Sequence, residues 1–214
     1  MDLTSYLLGK NASSGGGGGD LSEYFNTEIT SNTQSGEMIS YDIVKKTPPF
    51  TVGENVTRLS YCFSNCTLKN LDVSQMNTSN VTRMDHMFMN CSYLEIADVS
   101  NFNVSKVTDF NGIFQNCEHL KRLDLSKWEN NLDSDRRNMF AGCSRLAVLD
   151  VSSFSNFANY AFTNVGMYCL QSDGAYADGI PYVYVKNATV QAALTSGSYS
   201  APNTWTTANV IIKS

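Results

Sequence analysis

The sequence predicts an α/β repeat: a solenoid of four to five 26-residue coils with a cap at each end. Three observations predict it. The segments starting at Leu68, Leu94, Leu120 and Leu146 all read L-x-x-[LA]-D-[VL]-S, and each starts 26 residues after the last. Phe63, Phe88, Phe114 and Phe140 recur in steps of 25, 26 and 26, and Cys66, Cys91, Cys117 and Cys143 keep those steps. Within each unit, an apolar spacing near three gives way to one near two.

In the second unit, Val81, Met84, Met87, Phe88 and Cys91 fall on one face of a helix, so a helix is expected there. Leu94, Ala97 and Val99 then read as a short strand. A helix and a strand in 26 residues cannot bury their own apolar faces, whereas stacked neighbours can. Leu71, Val73, Ala97, Val99, Leu123, Leu125, Leu149 and Val151 are therefore expected in the core over residues 56–157, with the four phenylalanines as a second ladder. The L-x-x-L-x-L portion is the strand signature of a leucine-rich-repeat solenoid. The position after the strand that usually carries Asn holds Met76, Phe102, Trp128 or Phe154, so an apolar ladder replaces the usual amide ladder.

With these residues in view, the chain resembles the BspA-like leucine-rich repeats over roughly residues 50–157. The resemblance rests on the D-[VL]-S strand ends, the Val-Thr lead-ins at Asn80 to Thr82 and Lys106 to Thr108, and the boxes at Met87 to Cys91 and Met139 to Cys143. The fourth unit departs, with Asp133-Ser-Asp-Arg-Arg in place of the Val-Thr lead-in. The resemblance implies adhesion or recognition at a bacterial cell surface or on a phage particle, and carries no catalytic motif.

Outside the repeats, Leu3, Tyr6, Leu7 and Leu8 form a short apolar stripe within residues 1–10. Residues 11–19, ending in five glycines, read as a flexible tether. Residues 20–55 are expected to cap the first coil, because an unfinished solenoid end exposes core and strand edges. Residues 158–214 are expected to hold a degenerate coil and a closing cap: a strand at 181–185, a short helix at 188–194 and a last strand at 209–213.

Composition narrows the function classes. The net charge is -5 and no Lys/Arg run exceeds two residues, which argues against a nucleic-acid partner. No apolar stretch is long enough to span a membrane, and the first ten residues lack the pattern of a secretory signal.

Candidate chemistry is sparse. The cysteines lack a C-x-x-C pair and read as a column of buried thiols, with a Cys62–Cys66 disulfide as the alternative. Asp72, Asp98, Asp124 and Asp150 are expected to stack on neighbouring strands, either bonded to Ser and backbone N–H groups or chelating cations. His86 and His119 occupy different repeat phases, with no nucleophile placed beside them. Eight N-x-[ST] sequons, at Asn11, Asn55, Asn65, Asn77, Asn80, Asn90, Asn103 and Asn187, read as by-products of turn chemistry. No catalytic residue, metal or cofactor is assigned.

Comparison between units marks a binding surface. Asp and Ser at the strand end are constant, which is architecture. The outward positions vary: Lys69 and Asn70, Glu95 and Ile96, Lys121 and Arg122, Ala147 and Val148, followed by Gln75, Asn101, Lys127 and Ser153. Tyr182, Tyr184, Tyr199 and Trp205 form a second candidate patch. The expected protein is a non-enzymatic recognition or structural component on a virion exterior, with a bacterial surface adhesin as the alternative. Its solenoid would meet a host surface protein or glycan. Leu3, Tyr6, Leu7 and Leu8 would anchor it to a virion structural protein, in a homo-oligomeric display.

Overall fold

The computed structural model describes residues 56–71, 73–129, 134–157, 161–163, 182–198, 201 and 205–213. The N-terminal stripe and tether, the expected cap over 20–55, Asp72, Cys169 and Tyr199 lie outside the described residues. The repeats wind into a parallel β-solenoid of about four turns. One sheet of six strands runs along it in chain order: β1 (Asn70–Leu71), β2 (Ile96–Ala97), β3 (Arg122–Asp124), β4 (Val148–Asp150), β5 (Tyr182–Val185) and β6 (Val210–Ile212). Every neighbouring pair is parallel.

Strand alternation orients the sheet. Leu71, Ala97, Leu123, Leu149 and Val183 point inward and are buried, while their flanking residues on β1 to β3 face outward. All eight residues expected in the core from the strand pattern are buried. The phenylalanine ladder is a stack, with ring centroids 5.6 Å apart for Phe63–Phe88, 5.3 Å for Phe88–Phe114 and 6.3 Å for Phe114–Phe140. Met76, Phe102, Trp128 and Phe154 form the second apolar column, and the Trp128 indole N–H donates to the Val99 carbonyl at 3.0 Å.

The expected helix in each coil is absent: residues 85–90, for example, are consecutive turns. Two features prevent a helix. The N–H groups of Met84, His86, Phe88 and Asn90 donate to carbonyls of the next coil, at Asp109, Asn111, Ile113 and Gln115. They are therefore not available for the i→i−4 bonds a helix needs. Each coil also holds two left-handed residues: Tyr61 and Asn65, His86 and Asn90, Gly112 and Asn116, Asn138 and Gly142. Left-handed backbone at the third residue of a turn lets the chain turn with an i→i+3 bond, such as Met87 N–H to the Met84 carbonyl at 3.2 Å. An apolar spacing near three fits this chain of turns as well as it fits a helix face.

The left-handed asparagines stack as well. Asn90 Nδ2 donates to Asn65 Oδ1 at 3.1 Å, and Asn116 Nδ2 donates to Asn90 Oδ1 at 2.9 Å. An amide ladder exists after all, on the turn side of the coil. It ends at Gly142, where a Cβ would lie 2.3 Å from Asn116 Oδ1.

Beyond the fourth coil, β5 takes the expected strand position. Helix α1 (Ala188–Thr195) follows, capped by Asn187 Oδ1, which accepts from the Val190 N–H at 3.1 Å. Val190 and Leu194 bury its inner face. Trp205 is 1% exposed and joins the core, so it cannot belong to a surface patch. In the departing fourth unit, Arg136 is buried, with its guanidinium 5.0 Å from the centre of the Phe154 ring and bonded to Asn156.

Candidate functional site

Because the inward strand residues are committed to the core, chemistry open to a partner lies on the outer sheet face. There the strand pairing aligns Ile96, Arg122, Val148 and Tyr182 in one row, and Asp124, Asp150, Tyr184 and Ile211 in a second. A groove of about 610 Å³ crosses β2 to β5, lined among others by Glu95, Ile96, Lys121, Arg122, Val148 and Tyr184. That size is ordinary for a ligand site.

Five of the variable residues singled out by the repeat comparison line this groove: Glu95, Ile96, Lys121, Arg122 and Val148. Ile96 is 62% exposed, so its apolar side chain is open to a partner. Glu95 sits between two lysines, 3.5 Å from Lys69 Nζ and 2.6 Å from Lys121 Nζ. The Lys121 bond and charge, with Lys69 behind them, hold the Glu95 carboxyl below the usual range. The Arg122 side chain has no ion-pair or hydrogen-bond partner among the described residues.

The remaining predicted residues lie beside the groove. Asn70 is exposed on β1 and Lys127 is exposed beyond β3. Gln75 Nε2 bonds Ser74 Oγ at 3.4 Å. Asn101 stitches coils together: its Nδ2 reaches the Ser74 carbonyl at 2.9 Å and those of Val73 and Met76 at 3.3 Å. Ser153 Oγ does the same to the Leu125 carbonyl at 2.8 Å. Variation between repeats thus marks some positions where different side chains perform one architectural task.

The repeat comparison missed Asp98 and Asp124 as groove residues. The aspartates were set aside because they are constant, yet Asp98 and Asp124 are exposed there. Each also closes an Asx turn: Asp98, Asp124 and Asp150 Oδ1 accept the N–H of Ser100, Ser126 and Ser152 at 3.1, 2.9 and 3.0 Å. Burial pushes the Asp124 carboxyl upward, but the Ser126 bonds and the nearby Lys213 and Lys127 outweigh it and lower it on balance. Asp150 also accepts from Lys213, which ties β4 to the end of the chain.

A second polar cluster lies on the turn side. Ser60 Oγ donates to Asp85 Oδ1 at 2.5 Å, and Arg83 bridges Asp85 at 3.0 Å and Asp109 at 2.7 Å. The His86 ring stacks on Tyr61 at 4.7 Å, with Nδ1 3.7 Å from Asp85 Oδ2. Burial pushes the Asp85 carboxyl up, but the neighbouring His86 ring and the bonds from Ser60 and Arg83 prevail and hold it well below its usual value. The order of contacts is wrong for nucleophilic catalysis, because Ser60 faces the carboxylate and not the imidazole. His119 Nδ1 meets the Ser92 carbonyl at 2.5 Å, and its ring lies 5.9 Å from that of Tyr93.

Cys62, Cys66, Cys91, Cys117 and Cys143 are free and buried, so Cys62 and Cys66 are not bridged. Their column is bonded in register: Cys91, Cys117 and Cys143 Sγ donate to the carbonyls of Phe63, Phe88 and Phe114 at 3.0, 3.1 and 3.1 Å. Burial pushes the Cys62 and Cys143 thiols up to about 12. Such thiols are inert. Among the described residues, no group of three or more His, Cys, Asp or Glu could hold a metal ion, and no helix is long and apolar enough to cross a membrane.

No curated protein and no solved structure matches this chain. A family model does, over residues 49–159, just over half the chain and the whole of the regular repeat. The chain therefore belongs to the family described as Mycoplasma protein of unknown function, DUF285.

Proposed function

We propose that this chain is a non-catalytic recognition module of the BspA-like leucine-rich-repeat type, which binds a partner through the outer face of β2 to β5. One observation carries the reading. The groove gathers Ile96, Arg122 and Val148, which share one strand position and differ from coil to coil, over a scaffold of D-[VL]-S turns that does not change. Variable side chains on a fixed frame can be fitted to a partner without disturbing the stack.

The carrier we propose is a virion exterior, with Leu3, Tyr6, Leu7 and Leu8 docking onto a virion structural protein and the glycine tether freeing the solenoid to search for a host surface. A homo-oligomeric arrangement would convert weak single contacts into avidity. A second reading, a bacterial surface adhesin, is favoured by the family description, which names a cellular bacterium.

Adsorption of the purified chain to intact bacterial cells tests the binding reading. The double variant Ile96→Asp/Arg122→Glu, with an unchanged melting temperature, should lose at least tenfold in adsorption. Equal adsorption by variant and parent would contradict it. Deleting residues 2–19 tests the anchor: the shortened chain should leave the particle or envelope fraction that holds the full chain.

A further inference from the structure

Resting on the strand face as the binding surface, we propose that its ligand is a neutral glycan chain laid across β2 to β5, at right angles to the strands. The spacing of the sheet is the first argument. Neighbouring strands lie about 4.8 Å apart, close to the length of one sugar residue in an extended glycan. One kind of contact can therefore recur from strand to strand along the chain. A peptide crossing the strands advances about 6.7 Å for every pair of residues, so its side chains drift out of step with the rows.

The chemistry of the lining is the second argument. A neutral sugar presents hydroxyl donors and acceptors around its rim and an apolar face of C–H groups. The groove offers both counterparts. Arg122 supplies guanidinium donors held by no other described group, and the exposed carboxylates of Asp98 and Asp124 supply acceptors. Ile96 and Val148 supply apolar contact in the groove, and outside its lining Tyr182, 53% exposed at the end of the Ile96–Arg122–Val148 row, extends the face with an aromatic platform.

Charge is the third argument, and it selects among glycans. The lining contains Glu95, Asp98, Asp124 and Asp150 against Lys121 and Arg122. Lys121 is committed to Glu95, and Asp150 to Lys213. Lys69 also pairs with Glu95, and Lys213 and Lys127 lie near Asp124, so the charges of this face nearly offset one another and form no cationic cluster of the kind that sialylated or uronate chains would need.

The test is an array of oligosaccharides, neutral hexose and N-acetylhexosamine chains beside sialylated and uronate chains, probed with the full chain. Neutral chains of three residues or more should bind. Arg122→Ala and Tyr182→Ala should each reduce that signal at least tenfold, with unchanged melting temperatures. Preference for acidic chains, no binding to any chain, or binding indifferent to both substitutions would overturn the proposal. Cells treated with periodate or with protease separate it from the broader reading. Loss of adsorption after periodate alone supports a glycan. Loss after protease alone, still dependent on Ile96 and Arg122, overturns the glycan and leaves the binding face standing. Adsorption independent of Ile96 and Arg122 removes the face itself.

Discussion

Asn116 illustrates how single residues set this fold. Its backbone is left-handed at φ 58°, a state asparagine tolerates better than most residues, and its amide extends the ladder from Asn90. Gly142, one coil on, also sits left-handed at φ 78°, under the Asn116 amide. Gly142→Ala should therefore cost about 1–3 kcal/mol, from left-handed strain plus the contact. Gly142→Ala in an Asn116→Ala background should cost measurably less than in the parent; equal costs in denaturant titrations would show that the contact does not matter. The thiols give a second residue-scale expectation. Unfolded thiols titrate near 8.5, while burial raises Cys62 and Cys143 to about 12. The native state thus holds protons that the unfolded chain releases. The stability from these thiols is whole below about pH 8.5 and is lost as pH rises from there through the native value. Alkylation at pH 8 should be slow in the native protein and complete in denaturant, and fast native labelling of Cys117 or Cys143 would contradict the buried column.

At the scale of the element, the phenylalanine stack is the strongest structural claim. Phe114 is fully buried between Phe88 and Phe140, with Trp128 beside it. Phe114→Ala should cost about 3–5 kcal/mol, measured by denaturant unfolding, and a loss below about 1 kcal/mol would refute its packing role. Strand positions were legible in the sequence because inward Leu, Ala and Val alternate with outward residues in every coil. The turn segment was misread because Met84, Met87, Phe88 and Cys91 satisfy a helix pattern, and periodicity carries no record of where N–H groups find partners. Two signals for turns were present: Asn65, Asn90, Asn116 and Gly142 at one repeat phase, and Gly112 and Asn138 at another. Left-handed Tyr61 and His86 had no such signal.

Across the whole molecule, the repeat, its register and its apolar columns were legible because each unit states them again. The groove was legible only in part. Comparison between coils found Glu95, Ile96, Lys121, Arg122 and Val148, but it passed over Asp98 and Asp124, whose constancy serves a turn while their carboxylates still face outward. It also included Asn101, whose variation hides a stitching role. Which side of the solenoid meets a partner is the central question, and site-specific photo-crosslinking on intact cells answers it most directly. A benzophenone side chain placed at Ile96, on the strand face, is compared with one at Thr108, exposed on the turn side. The account predicts crosslinked adducts from position 96, with few or none from position 108. Adducts from position 108 alone would place the binding surface on the opposite side and contradict it.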